Sequence, residues 1–592
     1  MNYRRWMALM LIVPMCAQAG PAAVELPAGA FQGSVTTPVA NAAFAPGADA
    51  GQAAPMSGVL HLSQAAFMTQ PELANLVVQG RDARLFPALA LRLFSDRGRL
   101  VPVQRGTIMA ETASGPVRSY WSVIPEAGRV WHEVADGEWD RAALPFTLVN
   151  DTENAAVQGL LTFRYHGTRV SAARIQLVQQ TAPYLVKPHF TAAGLVPARF
   201  EAVETEASEL AEAQAEWDAR LRVRPMAELA ATLPSGTLEG LGGPLLPQWR
   251  VAVALLVHDT LWLAPVETPF GPYPYPEGMR FGVRSVMKSV AAPLALLHLA
   301  EEYGPWVLDL KIGDYVEGLD PKYRSVRFID AANMASGFGG QGTFRTQPND
   351  MYDGYLGGDY DAWYVAPSHA EKLAAIRRTL TPYPWAPGTV VRYRDQDFYL
   401  LGIAIDGLLG RLRGKDSADL WAMLAREVFA PIGIRHAPAV HTKEPDGHDH
   451  VWANAGYYPT LEDLARIAWL YQRRGLWEGR QLLHRGLTED LLAAKGALDK
   501  RGDAARPAAA DGPIPRYRMG FHFLPYLGQK GDGRWEVPSM QGSGENEVIL
   551  APNGMISIRT AKAAGLPEGT KVADDDTNAT LRVLERLEAF PR

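Results

Sequence analysis

Ser285-Val-Met-Lys288 opens an apolar stretch with helical character, which continues to Glu302 and is stopped by Gly304 and Pro305. A serine hydroxyl is a weak nucleophile at neutral pH and needs a neighbouring base to become reactive. Residues three apart on a helix face the same side, so the spacing predicts that Lys288 is the base of Ser285, at the first turn of a long helix. A helix-capping Ser285 beside a solvated lysine is the alternative.

The position at the start of a helix favours the same chemistry. Unpaired backbone N–H groups and the positive end of the helix dipole stabilise a developing anion and disfavour a protonated amine. Burial acts in the same direction, because it lowers a lysine pKa from about 10.4 toward the roughly 7 to 8 that suits a base at neutral pH. Both effects favour an unprotonated Lys288.

A second group of motifs, Pro387-Gly-Thr and Tyr393-Arg-Asp395, follows about a hundred residues later. A phenol and an amine near one serine can pass a proton from the hydroxyl to a leaving group, provided that both are desolvated. Together with Ser285 and Lys288, these motifs indicate the parts of a serine acyl-transfer site. For Tyr393 alone, packing at the end of a strand is the alternative.

Four sequence blocks occur in a fixed order, at 281–288, 328–337, 387–402 and 455–466. Together they resemble the serine β-lactamase and penicillin-binding-protein family, in particular its class C β-lactamase-like esterase and amidase branch. The resemblance implies an α+β fold with a β-lactamase/transpeptidase-like catalytic domain, in which helices flank an antiparallel sheet. It also implies an acyl-enzyme reaction with Ser285 as nucleophile, Lys288 as its base and Tyr393 as the proton-transfer group that serves the leaving atom.

Two departures from the family's pattern bear on the substrate. The third position of the tyrosine motif is usually an amide that binds substrate, whereas here it is Asp395, which only accepts hydrogen bonds when ionised. The Gly-rich strand within 539–550 lacks the Lys or His that helps the family to hold a substrate carboxylate. The resemblance therefore favours cleavage of an ester or an uncharged amide over a β-lactam.

The register of that strand is open between Gln541-Gly542-Ser543 and Ser543-Gly544-Glu545. In either register a backbone N–H completes an oxyanion hole with that of Ser285. A single donor of such a hole is worth roughly a hundredfold to a thousandfold in rate. A hairpin without a catalytic role is the alternative.

Other activities remain open. A peptidoglycan D-amino-acid peptidase or a β-lactamase fits an exported protein but not the chemistry of the strand. A non-catalytic, penicillin-binding-like binding or sensor protein is the alternative outside enzymes. An aromatic stretch that contains Tyr352, Tyr355, Tyr360 and Trp363 either lines an apolar acyl pocket or packs against a surface.

The N-terminus has the three-part layout of a secretory signal peptide, with Arg4 and Arg5, an apolar run to Cys16, and Ala17-Gln-Ala19. We predict a signal peptide at 1–19, cleaved after Ala19, and a periplasmic or secreted protein. Cys16 is the only cysteine, so the processed chain would have no thiol, no disulfide and no cysteine metal site. A lipid anchor on Cys16 is the alternative.

Changes in amino-acid composition and pattern along the chain predict its domains. Short β-rich runs between about 100 and 179 are separated by turn residues, which predicts a β-rich, sandwich-like accessory domain over 20–200. The Glu- and Ala-rich stretch 201–225 predicts a helical linker. The serine hydrolase domain then occupies 226–592.

Composition limits the partners. With 47% apolar residues, a net charge of -6 and no basic stripe, the chain is globular and nucleic acid is excluded as a partner. No later stretch reaches the roughly 18 apolar residues of a membrane helix. We expect no cofactor and no metal, because His448 and His450 have no third ligand at a suitable spacing. The expected partner is a small-molecule or peptide ester or amide, with a cell-wall component as the alternative.

Overall fold

The computed structural model describes residues 26–591, except 34, 36, 74–75, 114, 188, 341–350, 353–359, 500–515, 530, 532, 567–568 and 575. The predicted signal peptide with Cys16, and Tyr355 of the aromatic stretch, lie outside the described residues. Within the described part of the chain, every helix is too short or too polar to cross a lipid bilayer.

The first part of the chain folds around one large, mainly antiparallel sheet of twelve strands. Its central strands Asp140–Val149, Ala156–His166 and Ala173–Thr181 are buried on both faces, so both faces need a cover. One face packs into the core of the sheet's own region, and the other packs into the core of the second half. In chain order the strands are Ser57–Leu62, Met68–Gln70, Leu89–Asp96, Arg99–Pro102, Ser122–Pro125, Gly128–His132, Asp140–Val149, Ala156–His166, Arg169–Val170, Ala173–Thr181, Thr191–Val196 and Ala198–Ala202.

The second part contains a sheet of nine strands with helices packed on it. Its neighbours pair antiparallel, except for the parallel pair of Arg222–Pro225 and Thr260–Leu263. Across the sheet, the strands follow the order Arg222–Pro225, Thr260–Leu263, Arg250–Val257, Ile556–Ala561, Asn546–Leu550, Arg534–Gly542, Phe521–Leu527, Arg516–Arg518 and Leu498–Asp499.

The helices lie mainly in the second part of the chain. The longest, Asp395–Arg413, is almost wholly buried over its first half and runs through the core. The described α-helices are Ala207–Asp218, Met226–Ala231, Met287–Val290, Ala292–Tyr303, Phe328–Ala332, Tyr360–Tyr364, His369–Thr379, Asp395–Arg413, Leu420–Leu424, Leu461–Gln472, Arg485–Leu492 and Ala579–Leu587.

The long helix predicted to start at Ser285 is interrupted. Met287–Val290 and Ala292–Tyr303 are separate helices with a break at Ala291. Pro293 has no N–H to donate to the carbonyl four residues earlier. That carbonyl, on Ser289, instead accepts a hydrogen bond from the hydroxyl of Tyr471 at 2.7 Å. Ser285 itself lies in the 3-10 turn Arg284–Val286, just before the first helix.

The predicted α+β fold class is confirmed, with a β-rich N-terminal region and an antiparallel sheet packed with helices. A single hydrophobic core takes residues from both regions, including Ala143 and Leu160 from the first sheet and Phe281 and Leu294 from the second region. The predicted linker 201–225 contains the helix Ala207–Asp218, and its last residues already belong to the second sheet. The exact domain boundaries stay a prediction.

Candidate active site

The turn that carries Ser285 is tightly built. Arg284 has a φ of +51°, in the left-handed region that costs a non-glycine residue roughly 1 kcal/mol or more. Of the ten residues 281–290, all of which the structure describes, nine are buried and only Ser285 is partly exposed. The turn therefore presents one hydroxyl to an otherwise closed surface.

Lys288 approaches this hydroxyl from inside the protein. Its Nζ donates to the Oγ of Ser285 at 2.7 Å and to the backbone carbonyl of Asn454 at 2.9 Å. The side chain is 1% exposed, and this burial lowers the pKa of Lys288 below its ordinary value, against the opposing effect of the Asp395 carboxylate. The predicted pair of Ser285 and Lys288 therefore lies together, with the amine in an environment that suits a base.

Tyr393 completes the group around the serine. Its hydroxyl is hydrogen-bonded to Ser285, and its ring centre lies 4.9 Å from the Nζ of Lys288. Burial raises the pKa of Tyr393 well above its ordinary value, and the negative charge of Asp395 adds to this shift. Tyr393 is therefore a protonated phenol at neutral pH and is able to donate a proton.

Asp395 is engaged with Lys288. Its Oδ1 lies 2.5 Å from the Nζ of Lys288, and its side chain is 4% exposed. The other carboxylate oxygen accepts a hydrogen bond from the hydroxyl of Tyr360. The carboxylate thus contacts the amine of Lys288, in a position where the sequence suggested a contact with substrate.

The strand Arg534–Gly542 passes directly beside the serine. A Cβ added to Gly542 would lie 2.1 Å from the carbonyl oxygen of Val283 and 3.3 Å from the backbone nitrogen of Ser285. Gly544 lies instead in the hairpin turn, facing Ala564. Of the two registers left open by the sequence, the one centred on Gly542 is thus the one that touches the turn of Ser285.

Two cavities meet at Ser285. The first, of about 380 Å³, lies along the strand and includes Gln541, Gly542, Ser543 and Gly544. The second, of about 430 Å³, lies on the other side and also includes Ser543. A substrate whose carbonyl lies at Ser285 therefore has space on both sides of the bond that is cut.

The N-terminal region holds the turn of Ser285 in place. The Oδ1 of Asn154 accepts the backbone N–H of Arg284 at 2.7 Å, and its Nδ2 donates to the carbonyl of Tyr457 at 3.1 Å. The hydroxyl of Thr181 accepts the backbone N–H of Gly282 at 3.2 Å. Asn154 is fully buried, so it links the residue before the nucleophile to the first sheet.

We expect that Asn154→Ala lowers kcat by roughly tenfold to a hundredfold, with a smaller change in KM. The substitution leaves the buried N–H of Arg284 without its acceptor, which costs about 1–3 kcal/mol, and a small displacement of a reacting group can cost about a hundredfold in rate. Steady-state kinetics at a temperature well below unfolding measure the effect.

Asn150→Ala is the matched control for Asn154→Ala. Asn150 is equally buried, and its Oδ1 accepts the backbone N–H groups of Thr152 and Glu153 at 2.8 and 2.9 Å, within the same loop. We expect a similar loss of thermal stability but a rate within about threefold of the wild type. Equal losses of rate in the two variants would show that Asn154 acts through stability alone.

Comparison of the sequence with known protein families identifies a related family. The profile of the Beta-lactamase family matches residues 250–535. This segment of the chain matches the beta-lactamase family. It is accordingly a beta-lactamase-related serine hydrolase, as the sequence predicts. No curated protein sequence matches the chain.

Several solved structures of beta-lactamase-like proteins are similar to this chain. An octameric penicillin-binding protein homologue from Pyrococcus abyssi has 17% identity and a TM-score of 0.39, over 57% of this chain and 73% of its own. A penicillin-binding protein homologue from Caulobacter crescentus has 17% identity and a TM-score of 0.36, over 63% and 97%. A family VIII carboxylesterase has 12% identity and a TM-score of 0.37, over 63% and 96%.

Several residues of this beta-lactamase-family site were not predicted as site residues. Tyr360 was part of the aromatic stretch but was not connected with Asp395. Asn454, whose carbonyl accepts from Lys288, directly precedes a family block. Asn154 carries no local signal, because its role depends on contacts with residues far along the chain.

One group of possible metal ligands occurs among the described residues, away from the beta-lactamase-like site. His298, Glu302 and Glu427 lie close enough to share an ion. Arg413 forms ion pairs with both carboxylates and Arg426 with that of Glu427, so two guanidinium groups already balance their charge. His450, considered from the sequence, pairs instead with Asp406 at 2.7 Å.

Proposed function

We propose that the protein is an exported esterase or amidase that reacts through an acyl-enzyme on Ser285. The observation that carries this proposal is the 2.7 Å hydrogen bond from the buried Nζ of Lys288 to the Oγ of Ser285. The export rests on the signal peptide predicted at 1–19. Gln541 and the absence of a cation at this position in the sequence support an ester or uncharged amide over a β-lactam.

The steps follow from the three side chains. Neutral Lys288 takes the hydroxyl proton while the Oγ of Ser285 forms a bond to the substrate carbonyl carbon. The backbone N–H groups of Ser285 and Ser543 stabilise the negative oxygen. Tyr393 gives its proton to the leaving oxygen or nitrogen and regains one from Lys288, and water then cleaves the acyl-enzyme by the same path. Asp395 stabilises the ammonium that forms on Lys288.

Intact mass spectrometry after incubation with a fluorophosphonate tests the nucleophile, together with turnover of p-nitrophenyl butyrate. We expect one added probe and ester hydrolysis in the wild type, and neither in Ser285→Ala. Ser543→Ala should retain the label, because Ser543 borders both cavities but does not bond to Lys288. An unlabelled wild type would favour a binding protein, and a label that survives Ser285→Ala would identify another nucleophile.

A further inference from the structure

The second cavity at Ser285 is built by both regions of the chain. Tyr184 and Lys187 come from the N-terminal region and line the cavity together with Tyr360, Tyr364 and Leu566. The two N-terminal residues precede the 250–535 range that matches the beta-lactamase family. This wall of the cavity therefore comes from a part of the chain outside the family's matched segment.

The wall is aromatic and fixed in position. The ring of Tyr184 lies edge-on to that of Tyr364, with centres 5.1 Å apart, and Tyr364 stacks on Tyr360 at 5.7 Å. The hydroxyl of Tyr184 donates to the carboxylate of Asp361. Tyr360 and Tyr364 are almost fully buried, whereas Tyr184 is partly exposed and offers ring surface to the cavity.

The first cavity has a less apolar lining than the second, in which the charged side chains are Lys187 and the buried Arg284 and Asp395. It is lined by Glu545 and Glu547 together with Arg559, which pairs with both carboxylates at 3.6 and 3.3 Å. A desolvated apolar group gains little beside such ionised side chains, because displacing their water is costly. Aromatic rings, in contrast, pack well edge-on or offset against other rings.

We propose that the cavity beside Tyr184 binds a neutral aromatic or apolar group of the substrate, adjacent to the carbonyl that Ser285 attacks. The N-terminal region thereby acts as a specificity element of the active site. This proposal rests on the proposed function, since it takes Ser285 as the reacting group.

The test compares kcat/KM for ethyl acetate, ethyl phenylacetate and benzyl acetate, with acid release followed in a pH-stat. The last two esters place a ring on the acyl side or on the alcohol side of the same bond. We expect kcat/KM for one of them to exceed that for ethyl acetate by roughly tenfold or more, which is the discrimination that a hydrophobic pocket commonly achieves. Tyr184→Ala should remove most of this preference, measured as the ratio of kcat/KM for the ring-bearing ester to kcat/KM for ethyl acetate.

Tyr184→Phe separates the ring from its hydroxyl. It keeps the aromatic surface but loses the bond to Asp361, so we expect it to retain the preference. A wild type that hydrolyses these esters without preference for either ring-bearing one would overturn the proposal, as would a preference that Tyr184→Ala leaves intact.

A binding measurement keeps this result apart from the proposed function. Ser285→Ala protein is titrated with the preferred ring-bearing ester, or with both esters if the wild type hydrolyses none. We expect saturable binding that weakens roughly tenfold or more when Tyr184→Ala is added. If the wild type shows no turnover but the ester binds in this way, the proposed hydrolase function is rejected and the proposed ring-binding cavity is supported. If the wild type hydrolyses ethyl acetate but no ring-bearing ester binds, the hydrolase function is supported and the ring-binding cavity is rejected.

Discussion

Replacing Lys288 by methionine is expected to lower kcat/KM by roughly three orders of magnitude, within the range that a positioned acid or base contributes. Methionine fills the buried space with an apolar chain of similar length but offers no proton acceptor to the hydroxyl of Ser285. The same variant should react with a fluorophosphonate at a correspondingly lower rate. Single-turnover kinetics with p-nitrophenyl butyrate measure the acylation step directly.

Lys288→Arg controls for the lost positive charge. An arginine still provides a cation to Asp395 but stays protonated in proteins, so we expect it to be as inactive as methionine. Substantial activity in Lys288→Arg would show that the side chain supplies charge rather than a base.

Lys372→Met controls for the loss of a buried lysine. Lys372 is 1% exposed, burial lowers its pKa to about 7, and its Nζ donates to the carbonyls of Trp363 and Tyr364. It is thus a second buried amine with a suitable pKa, but its bonds hold a helix end. We expect Lys372→Met to lose thermal stability while it hydrolyses esters within about tenfold of the wild type. A larger loss of rate than in Lys288→Met would contradict the assignment of the base.

The sequence was informative about Ser285 and Lys288 because their contact is local. Three residues on one helical turn bring the side chains together whatever the rest of the chain does, and the structure has them 2.7 Å apart. Tyr393 was different, because 108 residues separate it from Ser285. Tyr393 was assigned to the site because the sequence blocks occur in the order of the family they resemble, and not from its spacing to Ser285 alone.

The break at Ala291 was not predicted, because the helical periodicity of the apolar residues outweighed the proline at position 293 in the prediction. Pro293 was visible in the sequence, but a proline in the first turn of a helix is compatible with an uninterrupted start at that point. It is incompatible with a helix that already began at Ser285. The apolar pattern on both sides of the proline therefore predicted one helix where the structure has two.

The contacts of the N-terminal region could not be predicted from the sequence. Asn154 and Tyr184 lie 130 and 180 residues from the residues they contact in the second region, the backbone of Arg284 and the ring of Tyr364. Such contacts depend on how two sheets pack on one core, which no local pattern encodes. The sequence indicated a β-rich region, whereas its part in the active site emerges only from tertiary structure.

Asp395→Asn is expected to move the acid limb of the kcat/KM profile to lower pH by about one unit or more. An opposite charge within about 4–6 Å commonly shifts a pKa by 1–3 units, and the Asp395 carboxylate is 2.5 Å from the amine. That carboxylate raises the pKa of Lys288 against the lowering effect of burial. Without it the pKa falls, and the neutral amine that accepts the proton of Ser285 is populated at lower pH.

Asp406→Asn is the matched control for this shift. Asp406 lies on the same helix and is also buried, but it pairs with His450 and is about 16 Å further along the helix. Its substitution should leave the acid limb of the kcat/KM profile where it is.

The Asp395→Asn variant keeps the contact with Tyr360. Asparagine at 395 retains a carbonyl oxygen for the hydroxyl of Tyr360, so the aromatic wall keeps a hydrogen-bond acceptor. If kcat/KM of Asp395→Asn falls equally at every pH, Asp395 only positions Lys288. If the acid limb of its kcat/KM profile moves to higher pH, that limb does not reflect the titration of Lys288.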